Sequence, residues 1–254
     1  VPHNSNTIGD VTADGRVIFV GCASGAICEY APGPPPTITP LSSHPTQPSL
    51  YPATDGVNIV FQRTDQTTSP PQVSIVLRAG DGTETVLATH NRLFGAPLSP
   101  GPSYRIANGW IAFARPGSGG STQVWLRAPD GTERQLSSTG SVAEIKGISE
   151  TGEVIFDIIQ SSSPLTYRRY LARPDGAIVD FGEAVGKVHL IDGAWYVAAA
   201  GQVLALQPDA ATRSILSEGA TGTFFSTDVA ILNPNDSAVP VTIRYLRENA
   251  AALE

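Results

Sequence analysis

Leu77-Arg-Ala-Gly-Asp-Gly-Thr-Glu84 is nearly repeated by Leu126-Arg-Ala-Pro-Asp-Gly-Thr-Glu133 and again by Leu171-Ala-Arg-Pro-Asp-Gly-Ala177, with a worn copy at Leu206-Gln-Pro-Asp209-Ala210. The full copies run through an Asp-Gly pair, the kind of sequence that folds a chain back on itself because glycine accepts the positive φ of a tight hairpin. A second series interleaves with the first: Asp14-Gly15, Asp55-Gly56, Asn108-Gly109, Thr151-Gly152 and Asp192-Gly193, the glycines 41, 53, 43 and 41 residues apart. Each of these pairs stands before a run of β-formers, such as Arg16-Val-Ile-Phe-Val20, Trp110-Ile-Ala-Phe113 or Glu153-Val-Ile-Phe156. In phase, the two series divide each unit into strand, turn, strand, loop, strand, turn, strand. Four short strands in roughly 40–45 residues make one blade of a β-propeller. The sequence therefore predicts an all-β chain with about five recognisable four-stranded blades, in a five- or six-bladed propeller over residues 1–216.

The 25 glycines and 21 prolines of the 254-residue chain have their address in these turns. The first unit is the exception: in place of the second pair it carries Pro32-Gly-Pro-Pro-Pro36, a stiff link that cannot join a central ladder. A net charge of −7 and a pI near 5.1 argue against nucleic acid and anionic membranes as partners. No apolar run reaches the roughly 18 residues that a membrane-spanning helix needs. Past residue 216 the rhythm breaks. Phe224-Phe225, Thr227–Leu232 and Val239–Tyr245 around the turn Asn233-Pro-Asn-Asp236 predict a β-hairpin over 217–249, one that closes the propeller ring or opens a truncated neighbour. Ala250-Ala-Ala-Leu-Glu254 reads as a vector-encoded tail, and the absence of methionine as a trimmed start.

Over roughly residues 5 to 216 the Pro-Asp-Gly units resemble those of the TolB-like and WD-repeat propellers, and more narrowly the propeller segments of large secreted bacterial proteins. The 217–249 segment looks like the opening of a bacterial immunoglobulin-like module. These resemblances imply a propeller fold and a secreted, periplasmic or cell-surface location. For activity they imply little, because binders, scaffolds and hydrolases share the fold.

Cys22 and Cys28 flank a predicted hairpin in the first blade and are expected as a disulfide, two reduced buried residues being the alternative. His3, His44, His90 and His189 have no metal-type spacing. A propeller gathers residues from several blades at its axis, however, and the first strand of each blade lies innermost. Alternation then places Lys187 and His189 on one row, Glu144 and Lys146 on another, Ser103 and Arg105 on a third, and Ser49 and Tyr51 on a fourth. If these rows face the channel, Glu144 is their only acid, which supports a divalent-metal site poorly. Polar residues satisfied by channel water are the plainer reading.

Trp110, Trp125 and Trp195 fall in predicted strands, where packing between blades is the ordinary role. Tyr30, Tyr51, Phe94 and Tyr104 are the loop-edge aromatics that a sugar platform would use. Arg168-Arg169 is the one basic cluster and is expected on a solvated strand edge.

The leading reading is a non-catalytic binding or spacer propeller whose partner is a protein, a glycan or a small molecule. Tyr51, Tyr104, Arg105 and Lys146 are its candidate binding residues. Two alternatives stand beside it. One is a propeller hydrolase or lyase of the ester or phosphotriester class, with His189 as base or metal ligand and Glu144 and Lys187 assisting. The other is a carbohydrate-binding module.

Overall fold

The computed structural model describes residues 7–22, 25–42, 47–91, 104–117, 121–138, 140–191, 193–199, 202–206, 214–215, 245–247 and 250–253. His3, His44, Phe94, Ser103 and the hairpin strands expected at 227–232 lie outside them. All regular structure among the described residues is β. The chain divides into two units, Val1–Ala184 and Val185–Glu254.

The first unit holds four antiparallel sheets, each of four strands consecutive in sequence. The first sheet is β1 (Thr7–Val11), β2 (Val17–Val20), β3 (Ile27–Ala31) and β4 (Thr37–Pro40), and the second is β5 (Ser49–Thr54), β6 (Ile59–Asp65), β7 (Gln72–Arg78) and β8 (Glu84–Asn91). The third is β9 (Tyr104–Ala107), β10 (Trp110–Pro116), β11 (Thr122–Arg127) and β12 (Glu133–Gln135). The fourth is β13 (Ser141–Ile148), β14 (Val154–Ser162), β15 (Leu165–Ala172) and β16 (Ile178–Glu183). These are propeller blades, and each packs on the next.

The second strand of each blade explains that packing. Its residues are apolar on both faces, as a strand covered on both sides requires. In β6, Ile59 and Phe61 join Ile18, Val20 and Ile27 of the first blade, while Val60 turns the other way to meet Tyr104, Ile111 and Phe113 of the third. In β10 the same alternation sends Ala112 toward Ile145, Val154 and Phe156 of the fourth blade. Burying one such large apolar side chain contributes about 1.5–3 kcal/mol, so each interface is held by several independent anchors. The first strands adjoin in series, β1 with β5, β5 with β9 and β9 with β13.

The turns follow the two sequence series, but mostly in another shape than the primed two-residue turn. In Ala79–Gly82, Ala128–Gly131 and Arg173–Gly176 the glycine N–H donates to the first carbonyl at 2.8–3.0 Å. Only the final glycine has positive φ, +89° to +104°, and the Asp carboxylate accepts the N–H two residues on at 2.8 Å. Thr12–Gly15 and Ser149–Gly152 share the glycine hydrogen bond. This is a type I turn closed by a left-handed glycine, the three-residue hairpin. Asn108-Gly109, with φ of 47° and 80° and Ala107 paired to Trp110, takes the primed form.

The second unit contains a fifth four-stranded sheet, β17 (Lys187–Ile191), β18 (Ala194–Ala199), β19 (Gln202–Leu206) and β20 (Ser214–Ile215). It also contains the pair β21 (Tyr245–Arg247) and β22 (Ala250–Leu253), the latter within the stretch read as a tail. Trp195 and Val197 of β18 are buried.

Candidate ligand-binding site

The fourth blade carries a row of charge that the apolar pattern of its strands conceals. Glu144 on β13 stands opposite Asp157 on β14, and Asp157 stands opposite Arg169 on β15. Asp157 and Arg169 are both nearly fully buried. The guanidinium meets the carboxylate edge-on, Nε to Oδ1 at 2.8 Å and Nη2 to Oδ2 at 3.0 Å, the bidentate geometry in which arginine binds carboxylates most strongly. A bulge in β13 between Ile145 and Gly147 accompanies a turn of Lys146 toward the same row. Its ammonium pairs with Glu144 and lies 3.7 Å from Asp157 Oδ2.

Arg105 reaches this row from the neighbouring blade. Its strand, β9, is the edge of the third sheet and adjoins β13. One guanidinium nitrogen donates to the Tyr104 carbonyl at 2.8 Å. Burial pulls the Arg105 pKa below its ordinary value, against the opposing influence of the Glu144 carboxylate. Glu144 and Lys146 are thus in contact and half-buried, and half-buried Arg105 on the adjoining first strand lies within electrostatic influence of Glu144.

Tyr104 does something else. Its ring is fully buried in the core between the second and third blades, so it is no exposed platform. Its hydroxyl donates to the carbonyl of Tyr51, and burial pushes its pKa far above the usual phenol range. Tyr51 itself is exposed and holds a φ of 52° in the bulge of β5. That conformation is strained for a bulky residue, and the Tyr104 hydroxyl fastens it from behind. Ser49, two residues earlier, is buried beside Ser42.

Lys187 and His189 lie exposed on one row of β17 in the second unit. Glu144 belongs to the first. His90, on β8, has its Nε2 3.1 Å from the Ala114 carbonyl, and burial lowers its pKa. Among the described residues no three His, Cys, Asp or Glu side chains gather closely enough to hold a metal ion.

The expectation that Arg168-Arg169 forms a solvated edge needs correction. β15 is flanked by β14 and β16 and is no edge. Alternation then splits the two residues, Arg168 to an exposed pair with Asp180 and Arg169 inward to Asp157. Cys22 and Cys28 are joined by a disulfide with Cα atoms 6.1 Å apart, Cys28 fully buried and Cys22 exposed. Among the described residues no helix is long and apolar enough to cross a membrane.

Residues that the sequence reading passed over hold the outer parts of the blades. Arg63 and Arg115 occupy equivalent places on β6 and β10. Each lies over the phenylalanine two positions before it, Phe61 or Phe113, at 5.2 and 4.9 Å, and each pairs with an acid of its own fourth strand, Glu84 or Glu133. The repeated Phe-x-Arg was the available signal.

No family model matches the chain, and no curated protein does. Among solved structures, virginiamycin B lyase from Staphylococcus aureus aligns at 14% identity and a TM-score of 0.47, over 83% of this chain and 69% of the lyase. The β-propeller domain of the trilobed protease from Pyrococcus furiosus aligns at 10% identity and 0.47, over 83% and 71%. A putative TolB from Agrobacterium tumefaciens aligns at 19% and 0.42, over 68% and 65%. At such identities these are likenesses of fold alone.

Proposed function

We propose that the chain is a non-catalytic, ligand-binding propeller module whose binding face lies on the first strands of its blades. The observation that carries this reading is the junction of β9 and β13, where the half-buried Glu144–Lys146 pair lies within electrostatic influence of half-buried Arg105. Both carboxylates of the row are held by cations, Asp157 by Arg169 and Glu144 by Lys146. That is an arrangement for holding a partner's polar groups rather than for taking a proton from one. Tyr51, on the next first strand, offers an exposed ring for a sugar or apolar face. The Cys22–Cys28 disulfide supports a secreted, periplasmic or cell-surface setting.

A glycan array together with a thermal-shift screen of small molecules and peptides tests this reading. We expect at least one ligand whose binding weakens in Lys146→Gln or Tyr51→Ala while the melting temperature holds. Ligands that bind equally well to both variants overturn the placement.

A hydrolase or lyase is the second reading, and it has its own residue: His189 stands exposed beside Lys187 on one row of β17. Activated esters and phosphotriesters, with and without divalent metal, are the assay. Turnover abolished by His189→Ala would replace the non-catalytic reading. Absence of turnover leaves it standing, and turnover that survives the change removes His189 from the hydrolase reading.

A further inference from the structure

We propose that the ring of Tyr51 is a subsite for the flat, uncharged ring of a small ligand, with Tyr104 as its positioning residue. This rests on the binding reading above and names the chemistry of the group bound on β5. Backbone strain is the first sign. Tyr51 holds a φ of 52° without being glycine or asparagine, and such a conformation persists only where the surroundings over-determine it. Here the two neighbouring first strands do so. On one side the buried Tyr104 of β9 donates its hydroxyl to the Tyr51 carbonyl. On the other, Gly9 of β1 lies so close to Pro52 that a Cβ there would collide with it. The entry to β5 is fixed as well, the Pro48 carbonyl by the Thr64 N–H at 3.0 Å and the Ser49 N–H by the Gly25 carbonyl at 2.8 Å. The bulge between Leu50 and Ala53 then takes Tyr51 out of step with β6, the device by which a strand re-aims one side chain. Pro52 goes inward and is buried, while the Tyr51 ring is left exposed. A ring clamped in a costly conformation and not buried is one that the fold presents.

The neighbourhood sets the chemistry of what it meets. Among the described residues Tyr51 is the one large apolar side chain exposed on β5 and β9. A folded partner needs a patch of about 800 Å² on each side, whereas a single ring matches a ring-sized group. The charged groups of the flanking strands are engaged within the protein. Asp10 accepts the Val11 and Thr54 N–H at 2.9 and 3.0 Å, and Arg105 donates to the Tyr104 carbonyl at 2.8 Å. An aromatic face with its flanking charges so engaged selects a neutral, flat ring. The C–H face of a pyranose and the face of an aromatic ring share that chemistry. With its backbone already fixed, Tyr51 has little freedom left to lose on binding.

Nuclear magnetic resonance titration of the full chain with methyl glucoside and, separately, with benzyl alcohol tests the proposal. Glycerol, a neutral polyol without a ring, is the blank. We expect saturation on the order of millimolar, the scale of a ring-sized ligand, with shifts of the Tyr51 ring resonances. The arm that saturates identifies the source of the ring. Tyr51→Phe keeps the ring and should bind like the parent. Tyr51→Asn suits the backbone but lacks the ring, and should lose binding while the melting temperature holds or rises. Tyr104→Phe and Gly9→Ala leave the ring in place but disturb its two clamps. Each should weaken binding several-fold and displace the Tyr51 ring resonances of the unliganded protein; Gly9→Ala serves alone should Tyr104→Phe fail to fold. Equal binding in Tyr51→Asn, or a fall of several degrees in its melting temperature, overturns the proposal. Parent-like binding in both clamp variants overturns the positioning role. Binding of a charged ligand where neither ring probe saturates would sink this proposal alone. Failure of every ligand class would sink the binding reading with it.

Discussion

Asp157 sits inside an apolar strand, Val154-Ile-Phe-Asp-Ile-Ile159, and stays there because Arg169 lies directly opposite and meets it with two hydrogen bonds. Removing one partner strands the other in a buried site. Arg169→Met is therefore expected to destabilise the protein by about 3–5 kcal/mol, whereas Asp157→Leu combined with Arg169→Met recovers most of that loss. Thermal unfolding of the single and double variants is the check. Tyr104 makes a smaller case of the same kind. Tyr104→Phe keeps the buried ring but withdraws the donor from the Tyr51 carbonyl, at a cost of about 1–3 kcal/mol, and is read by chemical denaturation. At this scale the sequence was only partly legible. Alternation placed Glu144 and Lys146 on one row, and the two side chains do pair, but across a bulge at Lys146 that no alternation foresees. It could not tell that the ring of Tyr104 points into the core. Nor did the arginine pair betray its split, since that depends on whether the strand is central or at an edge. A lone acid in an apolar run was a sign that a cation must face it, and it was missed.

Turns and strands were the most legible elements, because their chemistry is local. Each glycine-ended pair marks a hairpin, and the strands that follow begin within a residue or two of where the β-forming runs predict. The turn shape was not local, since a type I turn with a left-handed glycine and a primed turn share the same Asp-Gly or Asn-Gly signature. The same turns also stitch neighbouring blades together. Asp10 accepts from the Thr54 N–H at 3.0 Å, Asp55 from the Gly109 N–H at 2.7 Å, and Asn108 donates to the Glu150 carbonyl at 3.3 Å. A repeat read as hairpin punctuation is therefore also the seam between blades. Gly152 and Gly56 separate the two roles. Both have positive φ, +84° and +92°, but a Cβ at Gly152 would stand 2.5 Å from the Trp110 ring while one at Gly56 meets nothing within 4 Å. Gly56→Ala should thus cost about 1 kcal/mol from backbone strain alone. Gly152→Ala should cost clearly more and shift the tryptophan fluorescence. Equal losses in the two variants would remove the seam from the account.

For the whole molecule, the pH dependence of stability follows from groups that the fold treats differently from the open chain. Burial raises the Asp55 pKa, but N–H bonds from Asn58, Val57 and Gly109 together outweigh it and hold the carboxylate below 3.8. Asp81 and Asp130 shift the same way through the Thr83 and Thr132 N–H groups. The stability these carboxylates contribute is complete above about pH 4 and is lost as pH falls through their folded-state values. His90 acts earlier. Its burial lowers the pKa beneath 6.5, so the unfolded chain takes up a proton first, and stability declines as pH drops below about 6.5. Melting temperature should therefore fall in two stages on acidification, and His90→Gln should flatten only the upper one. The division of the chain into two units was not legible in a repeat that runs evenly from blade to blade. Function was least legible, because one propeller fold serves binders and hydrolases alike and the residues proposed for a site come from first strands of separate blades, with no contiguous motif. The most direct test of the central claim is a nuclear magnetic resonance titration of isotopically labelled protein with a ligand returned by the glycan array or the thermal-shift screen. Saturable shifts are expected, concentrated at Arg105, Glu144, Lys146 and their strand neighbours on β9 and β13. Shifts concentrated instead at the Asp81, Asp130 and Asp175 turns, or none that saturate, would contradict it.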